Sequence, residues 1–195
     1  MSPSPEDAAL VIADTRRWIE RAVIGLNLCP FAKAVHVKGL IHYAVSFETD
    51  WPALLDDVER ELLALAAADP TQRDTTLLIA PLADADFMLF TAFVAEAERR
   101  LAQRGLEGTL QIAPLHPQFQ FAGTTPEDIT NATNRAPYPT LHLLREASID
   151  RAVAAYPNAE RIYEANMALL ERLGPGGWEA LDVGARWQPQ DPHCD

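Results

Sequence analysis

Apolar residues recur at helical spacing near the start of the chain, at Leu10, Val11, Trp18, Ile19, Ala22, Val23 and Leu26. Ser4 ahead of Pro5, Glu6 and Asp7 supplies an N-cap, a proline at the first helical position and acids in the first turn. A helix is therefore predicted from about Pro5 to Ile24, with Gly25 placed to end it. The period then changes to two: Ile41, Tyr43, Val45 and Phe47 share one face, as in a strand with one buried side. Asp50 caps a second helix whose stripe is Leu54, Leu55, Val58, Leu62 and Leu65, and Asp69-Pro70 stops it. Thr75 to Pro81 is a short β-branched apolar run, the pattern of a strand covered on both faces. A third helix spans Ala85 to Arg104 and closes at Gly105; Thr109 to Leu115 supplies a third strand, and Phe119 to Phe121 a short further one. Asn158 is a good N-cap for a helix running to Leu173, which Gly174-Pro175-Gly176-Gly177 breaks.

Strands separated by helices of this length imply right-handed crossovers. The predicted fold is α/β: a small, mostly parallel sheet of three to four strands with packed helices and a C-terminal helical segment. Residues 1–181 read as a single globular domain, and residues 182–195 as a disordered tail.

Composition narrows the setting. At 195 residues, 48% hydrophobic and 23% charged, the chain can bury a core without disulfides or a structural metal. Cys29 and Cys194 lie near opposite ends, which argues against a disulfide framework and for a reducing compartment. No basic segment leads into an apolar run at the start, and no apolar run is long enough to span a bilayer, so a soluble cytoplasmic protein is expected. The formal charge of −12, with lysine at only two positions, Lys33 and Lys38, opposes binding to nucleic acid or to an anionic membrane.

Candidate chemistry concentrates between Ala113 and Glu146. This stretch holds His116, His142, Arg135, Arg145, Asn131, Asn134, Tyr138, Phe119 and Phe121, and Pro114, Pro117, Pro126, Pro137 and Pro139 interrupt regular structure within it. It is too aromatic and too poor in Lys, Ser and Gly for disorder, so it reads as a built site. His116 closes the third strand, where the crevice beyond strand carboxyl ends is the usual ligand position, and Asp84 and Asp86 open on the same edge. His116 is the candidate general acid, base or ligand anchor; the alternative is that it holds a proline-flanked turn by bonding a neighbouring carbonyl. Thr125-Pro126-Glu127-Asp128 repeats a helix-start signal and delivers Asn134 and Arg135 into Asn134-Arg135-Ala136-Pro137-Tyr138-Pro139. The Tyr138–Pro139 bond is a site where a cis peptide would be cheap. Thr140 is read as the N-cap of a helix carrying His142 and Arg145 on one face, so that Arg135 and Arg145 present guanidinium forks to a carboxylate or phosphate. The alternative for each arginine is a structural ion pair.

Cys29 reads two ways. Past a helix C-terminus the dipole disfavours a thiolate, whereas Pro30 opening a new turn would favour one, making Cys29 either an inert buried thiol or a nucleophile. No spacing typical of metal ligands and no glycine-rich phosphate loop occurs, so no metal is expected and no cofactor is implied.

Three stretches carry a family resemblance: Gly25-Leu26-Asn27-Leu28-Cys29-Pro30-Phe31-Ala32, His116-Pro117-Gln118-Phe119, and the run from Asn134 to Glu146. On these the chain resembles the bacterial family of uncharacterised proteins called DUF1415, over roughly Ala9 to Leu173. The resemblance implies no reaction, substrate or catalytic residue. The residues themselves suggest a protein that binds, with or without transforming, a small anionic or polar metabolite in a strand-end pocket. In an enzyme His116 would be acid or base, Tyr138 a proton or hydrogen-bond donor, and Cys29 a nearby nucleophile; Asn134, Arg135, His142 and Arg145 would bind the ligand. The alternative is a non-catalytic interaction protein with the proline-rich segment 113–146 as docking surface. A tight cluster of His116, Arg135, Tyr138 and Arg145 in a concave pocket favours the first; dispersal or internal pairing favours the second.

Overall fold

The computed structural model describes residues 3–156 and 161–189, and it is an α/β structure around one four-stranded sheet of order β1-β2-β4-β3. The elements are α1 (Pro5–Trp18), α2 (Ala32–Val37), β1 (Ile41–Val45), α3 (Trp51–Ala67), β2 (Thr75–Ile79), α4 (Phe87–Gln103), β3 (Leu110–Leu115), β4 (Thr140–Arg145), α5 (Glu146–Ala155) and α6 (Ile162–Glu179). Ser4 and Asp7 form a reciprocal capping box, Asp50 accepts from the Ala53 N–H, and Asp86 accepts from Met88 and Leu89. Each cap satisfies N–H groups that the first helical turn leaves open.

The sheet is mixed rather than mostly parallel. β1 pairs parallel with β2, but β4 lies antiparallel between β2 and β3. The cause is local. After β3 the chain stays at one sheet edge, where the His116 N–H donates to the Asn134 carbonyl at 3.2 Å. It then re-enters the sheet from the edge it left, so β4 must run against β3. The helix expected from Thr140 is this strand, in which Leu141 and Leu143 bury at period two. Pairing on both sides overrides the helical preference of Leu and Arg. The Phe119–Phe121 stretch forms no strand, and among the described residues every peptide bond, including Tyr138–Pro139, is trans.

β2 is buried at every position, as its β-branched apolar run requires. One sheet face packs on α3 and α4, joining Leu78, Leu141 and Leu143 to Val58, Leu62, Phe90 and Phe93. The other packs on α1, with Leu77 and Ile79 against Val11, Trp18 and Ala22. A third cluster joins Leu28 and Ala132 to Leu170 of α6.

Two further differences from the expected elements have physical causes. The first helix reaches Ile24, but its last turn, Ile19–Ile24, is a π-helix. Gly25 keeps right-handed φ (−61°), and a Cβ there would meet the Arg21 carbonyl oxygen at 2.2 Å, so close approach rather than a left-handed cap requires glycine; Asn27 takes the positive φ, 56°. The break expected at Gly174-Pro175 is present: Gly174 leaves helical geometry (φ 67°, ψ 172°), so α6 is two helical pieces meeting at a kink. Residues 182–189 also lie outside the expected disorder: Val183 and Trp187 are buried, and the segment straps across α1. Arg17 donates to the carbonyls of Asp182 and Gly184, and Arg21 to that of Leu181. The proposed cap Asn158, together with residues 190–195 and hence Cys194, lies outside the described residues. Among the described residues no helix is long and apolar enough to cross a membrane.

Candidate functional site

The carboxyl ends of β1, β2 and β3 and the start of β4 share one sheet edge, and the segment 116–139 covers it. Asn131, fully buried, pins the outer loop: its amide oxygen accepts from the Phe121 N–H and the Thr124 hydroxyl, and its nitrogen donates to the Thr125 carbonyl. The expected helix start at Thr125 falls later; Asp128 caps a 3-10 helix, Ile129–Asn134, by accepting from Thr130.

Two concavities open there. A cleft of about 570 Å³ runs between the start of α4 and this loop, lined by Asp86, Phe87, Gln118, Gln120, Phe121 and Arg135 among others. A smaller one, about 240 Å³, lies between His116, Tyr138 and the C-terminal strap at Trp187. Pro117 and Gln118 border both.

Segments far apart in sequence therefore converge here: His116 meets Asn134 through the backbone and shares the smaller cavity with Tyr138. Their chemistry is occupied internally. The Gln118 N–H donates to His116 Nδ1 at 3.0 Å, which leaves the proton on Nε2 to donate to the Asp84 carbonyl at 3.0 Å. Burial between Phe87 and Phe90 pushes the imidazole pKa down, despite the Asp84 carbonyl and the charges of Asp86 and Asp84. This is the turn-holding alternative for His116. The Tyr138 hydroxyl donates to Asp14 Oδ2 at 2.6 Å and accepts from the Trp187 N–H at 3.0 Å. Burial first, then this carboxylate, raises the phenol well above its ordinary range, so Tyr138 is no ready proton donor. Asn134 contributes its carbonyl to the turn.

His142 and Arg145 stand elsewhere. They lie three residues apart on a strand, hence on opposite faces. Arg145 pairs with Leu110 at the far end of the sheet, where its Nη2 donates to the carbonyls of Leu65 (2.5 Å) and Ala68 (2.6 Å) at the end of α3 and to that of Arg73 (3.3 Å). It is a cap for α3, and the expected Arg135–Arg145 cluster does not form. His142 sits mid-strand opposite Leu77 and Ala113, where burial lowers its pKa to about 4. Cys29 follows the π-helix at the turn into α2, partly buried; Asn166 holds the adjoining Leu28 carbonyl, and the thiol lines neither cavity.

Arg135 is different. Nε donates to the Phe119 carbonyl at 3.1 Å and Nη2 to the Pro126 carbonyl at 2.6 Å, orienting the partly buried guanidinium on the large cleft. Among the described residues no carboxylate lies within ion-pair distance and Nη1 has no partner. Desolvation pushes its pKa down, against Asp128 and Glu127.

Sequence reasoning missed Asp14, fully buried in α1, which takes hydrogen bonds from Tyr138, Arg17 and the N–H groups of Arg186 and Trp187. Its signal was an acid between Val11 and Trp18 on the apolar stripe.

Burial depresses three histidines, His42 as well as His116 and His142, and stability therefore depends on pH. Each titrates lower in the fold than its ordinary 6.5, so the unfolded chain binds more protons as pH falls. Their stabilisation is complete above about pH 6.5 and is lost on acidification, for His142 down to about 4. Thermal unfolding at about pH 7 and about pH 5 checks this: Tm is lower at the acid value, and His142→Leu narrows the gap. An equal Tm at both values contradicts it.

No curated protein and no solved structure matches the chain. The model of one family, described as protein of unknown function (DUF1415), matches residues 10–180 and so takes in the sheet, the strand-end loop and the lining of the larger cleft, while the Ala185–Pro189 wall of the smaller cavity lies beyond it. The chain belongs to that family.

Proposed function

We propose that the protein is a cytoplasmic binder of a small anionic or polar metabolite, which it holds in the cleft between α4 and the 117–126 loop with Arg135 as the anion anchor. The observation that carries this reading is the setting of Arg135. In a chain of net charge −12, where Arg17, Arg73, Arg100 and Arg104 reach carboxylates, this guanidinium is aimed by two carbonyls and keeps one nitrogen for a ligand. Two donors on one nitrogen suit a carboxylate or phosphate oxygen. The cleft volume is within the range of small-molecule sites. Because His116 and Tyr138 are committed to the fold, the reading is of binding rather than of acid–base catalysis by them.

A thermal-shift screen with small carboxylates and phosphates, followed by calorimetry, tests it. Arg135→Ala weakens the ligand found by about 1.5–3 kcal/mol while the protein stays folded. Equal affinity in variant and parent removes Arg135 as the anchor.

The internal pairing of His116, Tyr138 and Arg145 favours a second reading, in which segment 113–146 is a rigid docking surface. The exposed Met88 (73%) and Leu89 (54%) beside the cleft suit it. It predicts no small-molecule ligand.

A further inference from the structure

The walls of the large cleft say more about its ligand than a single cation does. Asp86 also lines it. Its Oδ1 is spent on the N–H groups of Met88 and Leu89, at 2.8 and 3.0 Å, so the start of α4 is already neutralised and offers no anion site of its own. Among the described residues its Oδ2 has no hydrogen-bond partner. Among the described residues, Arg135 and Asp86 are the only charged ones lining the cleft, one of each sign. Between them the wall is aromatic: Phe87 contacts Phe119 at 4.9 Å between ring centroids, Phe119 contacts Phe121 at 4.9 Å, and Phe121 contacts Tyr163 at 5.4 Å. Phe87 and Phe121 border the cleft itself, and the amides of Gln118 and Gln120 share it.

One cation, one anion and a ladder of tilted and edge-to-face rings describe a ligand with a carboxylate, an ammonium and an apolar or aromatic body. Resting on the reading of this cleft as an anion site, we infer that its ligand class is the zwitterionic α-amino acid, or short peptide, with an aromatic side chain. Arg135 Nη1 takes the carboxylate, Asp86 Oδ2 the ammonium, and the ring extends the Phe87–Phe121 ladder.

Calorimetry or saturation-transfer NMR on the full chain tests this with L-phenylalanine, N-acetyl-L-phenylalanine, L-phenylalaninamide and 3-phenylpropionate as probes. L-Phenylalanine binds, and loss of either charge weakens binding about tenfold or more. Asp86→Asn keeps an equivalent N-cap and removes only the charge. It abolishes the discrimination against the N-acetyl compound and preserves that against the amide; Arg135→Gln does the reverse. If 3-phenylpropionate and N-acetyl-L-phenylalanine bind as tightly as L-phenylalanine and depend on Arg135, the amino-acid assignment is overturned and the anion site stands. If none of the probes binds while a carboxylate or phosphate from the screen does, the outcome is the same. If no anion of any kind binds in an Arg135-dependent way, both are overturned.

Discussion

Arg145→Met lowers the free energy of unfolding by about 3–5 kcal/mol, a large share of the ~5–15 kcal/mol of a typical domain. Arg145 is 9% exposed, and its guanidinium donates to the carbonyls of Leu65, Ala68 and Arg73. Helix α3 ends there without a glycine or a polar side chain to take its last carbonyls, and methionine fills the space but donates nothing. Each carbonyl stranded away from water costs about 1–3 kcal/mol, and the loss is reduced where water enters. Arg145→Lys recovers part of it, because an ammonium restores charge but not the fork. Urea unfolding of the three proteins measures the series. A variant within about 0.5 kcal/mol of the parent that has lost ligand affinity contradicts a structural role and returns Arg145 to the binding site.

The second large effect belongs to Asp14. Desolvation pushes its carboxyl up, but hydrogen bonds from Tyr138, the Arg186 N–H, Arg17 and the Trp187 N–H outweigh it and hold the pKa below the usual 3.8. The sign follows: this stabilisation is present above the unfolded value and is lost only as pH falls below it, after the histidine loss. Asp14→Ala strands the Arg186 N–H and leaves the Tyr138 hydroxyl and the Arg17 charge without their carboxylate, and costs about 3–5 kcal/mol. It also loosens the strap, whose remaining ties include Arg17 and Arg21 to its carbonyls, the Trp187 N–H to the Tyr138 hydroxyl and the Trp187 indole to Asp7 at 2.7 Å. Limited proteolysis reads this directly: cleavage between residues 181 and 187 appears in the variant and not in the parent. Equal resistance contradicts the assignment of Asp14 as the latch.

The elements that the sequence announced are those whose burial pattern is local. Asp50 and the stripe from Leu54 to Leu65 specify α3, and the alternation Ile41, Tyr43, Val45 specifies β1, without reference to any partner. β4 was not legible in the same way, because Thr140 to Arg145 carries few β-branched residues and becomes a strand only between β2 and β3. That one misread element also put Arg145 and His142 on a common face. The strap escaped notice for a related reason. Its few apolar residues, Val183 and Trp187, are ordered by Asp14, Arg17 and Arg21, more than 150 positions away. At the site, the return of the chain from His116 to Asn134 follows from prolines and strand ends. What the side chains do there does not, since the engagement of His116 depends on where the Asp84 carbonyl and the Gln118 N–H arrive.

In the proposed function Arg135, held by the Phe119 and Pro126 carbonyls, presents its free nitrogen to an anion in the strand-end cleft. The most direct measurement is the ¹⁵N–¹H spectrum of the arginine side chains during titration with L-phenylalanine and with 3-phenylpropionate. The account predicts saturable shifts at the Arg135 Nε–H, accompanied by the side-chain amides of Gln118 and Gln120, with Arg145 unmoved. Shifts confined to other arginines, or none at Arg135 as either compound approaches saturation elsewhere on the protein, would contradict it.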